Sequence, residues 1–303
     1  MHLTKQTSSA GSNHGVTPDQ TYTLTVTCPD RVGIVAAVST CLAGRGGWIT
    51  EANHHSDTTT GRFFMRNVLL ARTLKGSLDD FRSEFAAIAA RYEMQWSLSD
   101  SALRKRVVLL VSKFDHCLVD LLYRWKAGEL DCDIPCVISN HADLRAYVEW
   151  HGIPFHHIPV AVEAAARQAA FDSIEQVFCD VQGDVMVLAR YMQILPGDLC
   201  ARYPGRIINI HHSFLPSFIG ARPYLQAFER GVKLIGATSH YVTTDLDAGP
   251  IIEQDVVRID HGDTEADMVR YGRDIEKAVL SRALKYHLED RVLLNGNRTI
   301  VFY

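Results

Sequence analysis

The stretch from residue 209 to residue 250 contains an amide, an imidazole and a carboxylate that could act together. Asn209 and His211 follow a strand-like run at residues 206–208, and on an extended segment residues two apart point the same way. Asp247 stands just before an Ala-Gly-Pro turn. An amide can polarise a carbonyl oxygen, an imidazole can move a proton, and a carboxylate can hold and charge the imidazole. These residue types predict a site for acyl chemistry.

Each of these residues also has an ordinary structural interpretation. An Asn-x-His at the end of a strand can be structural, with Asn209 capping a turn, and Asp247 can be a turn aspartate. The joint spacing inside an alternating pattern of strands and helices favours the catalytic interpretation. His212 is expected to point away from its neighbour, and the pair at residues 156–157 is expected to be structural.

Length, composition and charge limit the classes of protein to which the chain can belong. The chain has 303 residues, is 47% hydrophobic and 22% charged, and carries a net charge of -4. Such a length suits about two globular domains. The basic residues are scattered, which argues against a nucleic-acid partner, and no apolar run is long enough to cross a membrane. No signal peptide is visible.

The cysteines indicate a reducing compartment rather than a disulfide framework. There are 7 of them, without paired spacing, and this predicts free thiols in the cytoplasm. Cys132 and Cys136 could be two ligands of a metal ion, but no second Cys/His pair follows at finger spacing. We therefore predict no metal site.

Two domains are predicted from the order of the elements. Residues 1–20 are rich in Ser, Thr, Gly, Asn and Gln and are expected to form a disordered leader. Residues 21–100 have the order β-α-β-β-α-β, which is the ferredoxin-like pattern. Residues 101–105 are the predicted linker, and residues 106–303 alternate apolar strands with helices, which predicts a doubly wound, mostly parallel sheet.

The turn after the first strand carries a family resemblance. Its sequence Cys-Pro-Asp-Arg-Val-Gly, residues 28–33, resembles that of ACT domains, which are small regulatory modules that usually pair and bind amino acids near this turn. The resemblance implies Asp30 and Gly33 as residues of a regulatory site. The alternative is that Asp30 caps the following helix and Gly33 only permits tight packing.

The second domain resembles the folate-dependent formyltransferase family, which has an α/β sheet of this type. The resemblance rests on Asn209-x-His211 with Leu215-Pro216 after it, and on His240-x-Val242 leading to Asp247-x-Gly249-Pro250. Residues 188–195 resemble the segment that, with the loop ending at the carboxylate, holds the pterin ring in relatives. The implied catalytic residues are Asn209, His211 and Asp247, and the implied folate-binding residues are Met192, Gln193, Leu195, Val242, Thr244 and Leu246.

The turn after the first strand of this domain bears on the formyl acceptor. Transferases that formylate a phosphorylated amine carry a glycine-rich turn there, whose N–H groups cradle phosphate. Residues 112–118 contain no glycine, and Asp115 would repel phosphate, although Lys113 could still meet an anion. Water is the simplest acceptor, and formate and tetrahydrofolate would be the products.

Together the two domains resemble formyltetrahydrofolate deformylases from about residue 21 to residue 303. The resemblance implies hydrolysis of 10-formyltetrahydrofolate without a further cofactor, control by methionine and glycine, and a homo-oligomer formed through ACT domains. It also implies a cytoplasmic enzyme that supplies formate to purine synthesis and balances the one-carbon pool. A regulatory binding protein with a vestigial site and a protein-formylating transferase stay open as alternatives. Whether the loop at Gly220 to Tyr224 is a lid or a static loop is open as well.

Overall fold

The computed structural model describes residues 19–217 and 223–303, which divide after Leu103 into two compact units. The predicted leader lies outside these residues except for Asp19 and Gln20. Gln20 is buried, and its side-chain amide donates a hydrogen bond of 2.7 Å to Asp100. This contact attaches Gln20 to the first unit, one residue before the predicted start at Thr21.

The first unit is a four-stranded sheet covered by two helices. In chain order its elements are β1 (Thr21–Pro29), α1 (Ile34–Gly44), β2 (Trp48–Asp57), β3 (Arg62–Leu70), α2 (Leu78–Arg91) and β4 (Gln95–Asp100). The strands lie in the order β2-β3-β1-β4 with antiparallel pairing throughout. Alternate residues of β1 are buried, and they pack in one core with Phe81 and Phe85 of α2. The predicted ferredoxin-like fold is confirmed.

The turn that precedes α1 corrects one prediction. Asp30 does not cap the helix, because the N-cap residue is Gly33, three positions later, and no side chain caps it. Gly33 has φ 95, a left-handed conformation that glycine adopts without steric penalty. A Cβ atom at this position would lie 3.0 Å from the Tyr92 hydroxyl. The side chain of Asp30 stays exposed, while its backbone N–H bonds to the carbonyl of Gly61.

The second unit begins with alternating strands and helices. These are β5 (Lys105–Val111), α3 (His116–Lys126), β6 (Cys132–Ser139), α4 (Arg145–Trp150), β7 (Phe155–His157), α5 (Ala164–Asp180), β8 (Val185–Leu188), α6 (Gly197–Arg202) and β9 (Ile207–His211). It ends with α7 (Pro223–Arg230), β10 (Leu234–Tyr241), β11 (Ile251–Arg258), the long helix α8 (Glu265–Leu288), β12 (Val292–Asn295) and β13 (Arg298–Val301).

Seven of these strands form one sheet in the order β11-β10-β9-β8-β5-β6-β7. The strands from β9 to β7 are parallel to one another, and β10 and β11 join antiparallel to this set. This confirms the predicted mostly parallel α/β sheet. The chain first builds outward through β6 and β7 and then returns to the other side of β5. The strand order reverses between β5 and β8, and ligands of open α/β sheets bind at such a point, beyond the carboxyl ends of the strands.

Both faces of β5 are buried, as its continuous apolar sequence requires. Val107, Leu109 and Val111 pack into the core that α3 and α8 cover. Val108 and Leu110 pack into the opposite core, against Phe171 and other residues of α5. No helix among the described residues is long and apolar enough to cross a membrane. All seven cysteines are free, and Cys179 is exposed while the others are buried.

One histidine of the second unit couples its stability to pH. Nδ1 of His287, near the end of α8, lies at a hydrogen-bonding distance of 2.8 Å from the hydroxyl oxygen of Tyr241. Burial, and then the charge of Lys105, lower the pKa of His287 from 6.5 to about 4. The ring is therefore neutral in the folded protein at pH 5, whereas in the unfolded chain it binds a proton below about pH 6.5.

We predict that His287→Gln removes part of the acid sensitivity of the fold. Because the folded pKa is depressed, the contribution of His287 is fully present above about pH 6.5 and is lost as the pH falls to about 4, by on the order of 3 kcal/mol. Urea unfolding at pH 7 and at pH 4.5 should show a smaller loss of stability in the variant than in the parent. His261→Gln, at a ring that is 92% exposed, is the control. Equal losses in all three proteins would contradict the prediction.

Candidate active site

A cavity of about 440 Å³ opens at the carboxyl ends of β8 and β9. It lies next to the point where the strand order reverses, as expected for a ligand site on this type of sheet. Its wall includes every predicted catalytic and folate-binding residue: Asn209, His211, Asp247, Met192, Gln193, Leu195, Val242, Thr244 and Leu246. Three segments that are separate in the sequence thus meet around one space. Their roles in catalysis and binding stay predictions.

Strand β9 aims the first two residues. Ile208 and Ile210 belong to the core beneath α8, whereas Ile207 belongs to the opposite core. Because side chains alternate along a strand, Asn209 and His211 lie on the face of Ile207. His211 is only 6% exposed. The amide and the imidazole therefore reach the cavity from a rigid strand rather than from a loop.

The carboxylate of Asp247 is held between two imidazoles. Its Oδ2 lies 3.3 Å from Nδ1 of His211, and its Oδ1 lies 3.6 Å from Nε2 of His240. Burial raises the pKa of the Asp247 carboxyl, but the hydrogen bond from His211 outweighs it and holds the pKa well below its ordinary value. Asp247 has φ 54, a left-handed conformation that is uncommon for a residue with a side chain. The turn before Gly249 thus places a carboxylate that is ionised at neutral pH next to His211.

His211 has one nitrogen left for a ligand. Its Nδ1 faces Asp247, which can only accept a hydrogen bond in its ionised form, so Nδ1 carries a proton. Its Nε2 is buried and has no hydrogen-bond partner among the described residues. A buried polar atom without a partner is rare in native structures and calls for an explanation. A carbonyl oxygen or a leaving nitrogen of a substrate in the cavity would supply the missing partner.

His240 is a site residue to which sequence reasoning gave no role. It pairs with Asn209 across the antiparallel β9–β10 ladder. Its Nδ1 lies 3.0 Å from the carbonyl oxygen of Tyr241 and so carries the proton of the neutral ring. Its Nε2 then accepts one amide hydrogen of Asn209, at 3.2 Å. This contact orients the amide and leaves the second N–H of Asn209 for a substrate oxygen. The His240-x-Val242 motif was the signal that could have identified it.

The predicted pterin segment is fixed by polar contacts from neighbouring strands. The hydroxyl of Ser112, just after β5, donates to the side-chain oxygen of Asn140 at 2.6 Å. The same hydroxyl accepts the backbone N–H of Met192 at 3.0 Å. Leu195 is 7% exposed, whereas Met192 is 50% exposed. One end of the segment is therefore anchored in the core while Met192 remains available to a ligand.

A second charged cluster, absent from the sequence predictions, lies beside the cavity. Glu276 of α8 is 1% exposed and receives hydrogen bonds from the hydroxyl of Tyr224, at 2.6 Å, and from Nε2 of His116, at 2.8 Å. Its Oε2 also lies 3.3 Å from Nε of Arg190. We call Arg190, Glu276, His116 and Tyr224 the Arg190 cluster. It was missed because no helix was predicted at Glu265–Leu288 from the sequence.

His212 lies between the catalytic imidazole and the Arg190 cluster. Its ring centroid is 5.3 Å from that of His211 and 6.0 Å from that of Tyr224. Burial, and then the charge of Arg190, lower the pKa of His212 to about 4. It contacts the cluster with a neutral ring and is not hydrogen-bonded to Asp247 in the part of the chain that the structure describes.

One group of residues has the spacing of metal ligands. Ligand atoms of His116, Cys117 and Glu276 lie within 4.8 Å of one another. The guanidinium of Arg190 at 3.3 Å from Glu276 is unfavourable for a cation at this position. Cys132 and Cys136 are buried on β6, and burial raises the pKa of their thiols to about 12 and about 11, which disfavours the thiolate that a metal needs.

The loop that could cover the site is only partly described. Gly220 and Arg222 lie outside the described residues. Tyr224 is not part of a loop, because it belongs to α7 and is 9% exposed. Its hydroxyl is engaged by Glu276 rather than directed at the cavity.

Comparisons with known proteins agree with this geometry. The formyl transferase family model matches residues 105–284, and a glycinamide ribonucleotide transformylase from Symbiobacterium toebii superposes with a TM-score of 0.61 at 30% identity, over 66% of this chain and 95% of that one. The chain thus has a formyl transferase domain as its second unit.

Two relatives match both units. Formyltetrahydrofolate deformylase from Bacillus subtilis (strain 168) is 50% identical over 92% of this chain and 93% of its own length. The crystal structure of a formyltetrahydrofolate deformylase from Pseudomonas syringae pv. tomato has a TM-score of 0.92 and 58% identity, with 96% of each chain covered. The chain belongs to the formyltetrahydrofolate deformylases, and the family resemblance inferred from the sequence is confirmed.

We predict that Asn209→Ala lowers kcat by about 10²- to 10³-fold, equivalent to about 2.7–4 kcal/mol of barrier, because an oxyanion donor is lost. KM should change little, since the amide acts on charge that develops only in the transition state. Steady-state formate release would measure both constants. Asn53→Ala, on β2 of the first unit, is the matched control. A kcat within about threefold of the parent value, a difference of under 1 kcal/mol in the barrier, would show that Asn209 is not an oxyanion donor.

Proposed function

We propose that the chain hydrolyses 10-formyltetrahydrofolate to formate and tetrahydrofolate, with water as the formyl acceptor. The observation that carries this proposal is the unpartnered Nε2 of His211, placed beside an ionised Asp247 in the wall of a ligand-sized cavity. The chain's membership of the deformylases supports the same reaction.

The folate would bind along the wall formed by residues 192–195 and 242–246. A volume of about 440 Å³ lies within the range of small-molecule sites. Leu195, Val242 and Leu246 offer apolar surface to a flat ring, and the backbone N–H and carbonyl groups of the two segments offer hydrogen bonds to its polar edge. With the ring held there, the formyl group would lie near Asn209 and His211, which line the same cavity.

The hydrolysis needs one oxyanion and one proton transfer to nitrogen. The oxygen of water bonds to the formyl carbon, and the carbonyl oxygen becomes negative. The free N–H of Asn209 and a protonated Nε2 of His211 donate to that oxygen. When the bond from carbon to the folate nitrogen breaks, the nitrogen takes a proton, for which His211 is the nearest donor. Of the two protons of the attacking water, one replaces the proton that His211 gives to the nitrogen, and the other is lost to solvent because formate is ionised.

Asp247 acts mainly through its charge in this scheme. Its depressed pKa makes it a weak proton acceptor, since the anion is already stabilised by the hydrogen bond from His211. An anion at this position accepts one hydrogen bond from Nδ1 of His211 and another from the attacking water. Asp247 therefore orients both the water and the imidazole.

We predict that the pure protein releases formate and tetrahydrofolate in equal amounts when no amine acceptor is present. Asp247→Asn should lower kcat by roughly 10²- to 10⁴-fold, the usual contribution of acid–base groups, and still bind the folate. Formate release is measured by a coupled assay, and binding by folate-induced quenching of protein fluorescence.

The same assay distinguishes the other candidate functions. Formate that appears only when an amine is added would indicate a transferase instead of a hydrolase. Folate binding with no turnover under either condition would indicate a binding protein with a vestigial site. Leu246 belongs to the part of the cavity wall proposed to bind the folate. Leu246→Ala should therefore raise KM more than it lowers kcat, which distinguishes a loss of binding from a loss of catalysis.

The regulatory part of the function is also a proposal. We infer that the first unit binds methionine or glycine near Asp30 and Gly33 and that copies of the chain pair through this unit. The exposed carboxylate of Asp30 and the exposed backbone around the left-handed Gly33 could bind the ammonium and carboxylate groups of an amino acid. A cytoplasmic location and a supply of formate for purine synthesis remain predictions from the family resemblance.

We predict that methionine changes the rate of formate release by the parent and not by Asp30→Ala, because the effector's ammonium group would lose its counter-charge. The basal rate should not change, since Asp30 is outside the catalytic unit. Asp79→Ala, at an exposed carboxylate on α2 of the same unit, should respond as the parent does. A full methionine response in Asp30→Ala would place the effector site elsewhere.

A further inference from the structure

The Arg190 cluster lies where the fold would otherwise leave space for a ligand. Arg190 follows the carboxyl end of β8, and His116 begins the helix after β5. The strand order reverses between β5 and β8, and this is the usual ligand crevice of such sheets. The ring of Phe114 lies over the guanidinium of Arg190, with 5.2 Å from the guanidinium carbon to the ring centroid. Side chains of this protein therefore fill the crevice.

The charges in this cluster are costly to bury and are tightly held. Arg190 is 8% exposed and Glu276 is 1% exposed. Removing two ions from water costs several kcal/mol each, which only close partners can offset. Glu276 has such partners in Tyr224 and His116, but Nε of Arg190 has no well-directed hydrogen bond. Stability alone does not account for an arginine at this position, since an apolar residue would usually serve as well.

The backbone at Arg190 gives the same indication. Its φ is 64, in the left-handed region where a residue with a Cβ atom is strained by roughly 1–2 kcal/mol and glycine is not. Strain of this kind is found mainly at functional sites. Glycine would be the unstrained choice, yet the chain places there a long charged side chain. The side chain must therefore contribute something that the fold itself does not need.

Gly272 shows that the neighbouring helix is shaped for this cluster. It precedes Glu276 by one helical turn, so both residues lie on one face of α8. A Cβ atom at residue 272 would lie 2.0 Å from the hydroxyl oxygen of Tyr224. The absence of a side chain lets Tyr224 reach Glu276, and Glu276 in turn holds Arg190 in place.

The cluster adjoins the reacting groups. Arg190 and His212 line both the folate cavity and the cluster. The ring of His212 contacts those of His211 and Tyr224 in tilted arrangements, with interplanar angles of 35° and 53°. A nucleophile larger than water that approached His211 from the crevice would collide with these side chains. A water molecule needs much less space.

We propose that Arg190, held by Glu276, occupies the space an amine acceptor would need and so restricts the formyl acceptor to water. Arg190 is then a specificity-determining residue, and this role rests on the deformylase function proposed above. With the space opened, an amine nitrogen would bond to the formyl carbon, and the bond from that carbon to the folate nitrogen would break. The amine would lose one proton and the folate nitrogen would gain one, so that no further reactant is needed.

The test compares two products of one reaction. Full-length parent and Arg190→Gly are incubated with 10-formyltetrahydrofolate and a series of glycinamide concentrations, and formate and N-formylglycinamide are both quantified. The parent should give formate alone at every concentration, after correction for the reaction without enzyme. Arg190→Gly should divert the formyl group to the amine, with a product ratio about 10- to 100-fold above the lowest ratio that the assay can detect, the size of effect that pocket shape has on selectivity. The ratio does not depend on how much active enzyme remains.

Two further variants keep the test decisive. Arg190→Gly combined with Glu276→Gln removes the carboxylate charge that the single variant leaves short of a partner, and it should give the same product ratio if the single variant folds poorly. Gln182→Gly, at another residue with left-handed φ (50) that is exposed and remote from the site, relieves the same backbone strain and should give formate alone. Circular dichroism verifies that each variant folds.

Each outcome has one interpretation. Formate alone from folded single and double variants would overturn the role of Arg190 and leave the proposed deformylase function intact. No formate from the parent without glycinamide would overturn the deformylase function itself. N-formylglycinamide from the parent at the variants' ratio would show that the crevice is not closed in the parent.

Discussion

The placement of an ionised carboxylate between two imidazoles is the interaction on which the site depends. Asp247 contacts His211 with one oxygen and His240 with the other. A carboxyl group this enclosed would take up a proton without such partners. Because the anion persists, Nδ1 of His211 is committed to it, and Nε2 is the nitrogen that remains for chemistry. The contact between His240 and Asn209 then orients the amide toward the same space.

The fold supplies this arrangement through strand pairing. Parallel pairing of β9 with β8 puts Asn209 level with Leu188, so the pterin segment that follows β8 begins beside the catalytic strand. Antiparallel pairing of β10 with β9 puts His240 opposite Asn209. The turn that ends at Pro250 folds back over both strands. All four groups near the reaction, Asn209, His211, His240 and Asp247, therefore stand on strands of the sheet or in the turn between β10 and β11.

Sequence reasoning predicted the parts of the structure that local patterns encode. The period-two alternation of β1 and the apolar run of β5 identified strands, and the His211 and Asp247 motifs identified the cavity wall. Helix capping was the alternative to a regulatory role for Asp30 because its residue type suits a cap, but the N-cap residue is Gly33, whose left-handed φ the residue type of Asp30 does not reveal. His240 stands in the His240-x-Val242 motif, which did not reveal its contact with Asn209, and Glu276 has no local signal of its own. Their roles depend on a strand partner and on α8, which are distant in the sequence.

The two buried carboxylates of the second unit, Asp247 and Glu276, have different roles because their surroundings differ. Burial raises the pKa of each, and partners lower it below its ordinary value. The partners of Asp247 are imidazoles, one of which keeps an unpartnered nitrogen in the cavity wall. The partners of Glu276 are Tyr224, His116 and Arg190, which surround it and leave it 1% exposed. A carboxylate that stays next to open space can act on a substrate, whereas one that is enclosed can only hold its neighbours. Arg190 connects the two sites, because it is paired with Glu276 and also lines the cavity in which Asp247 acts.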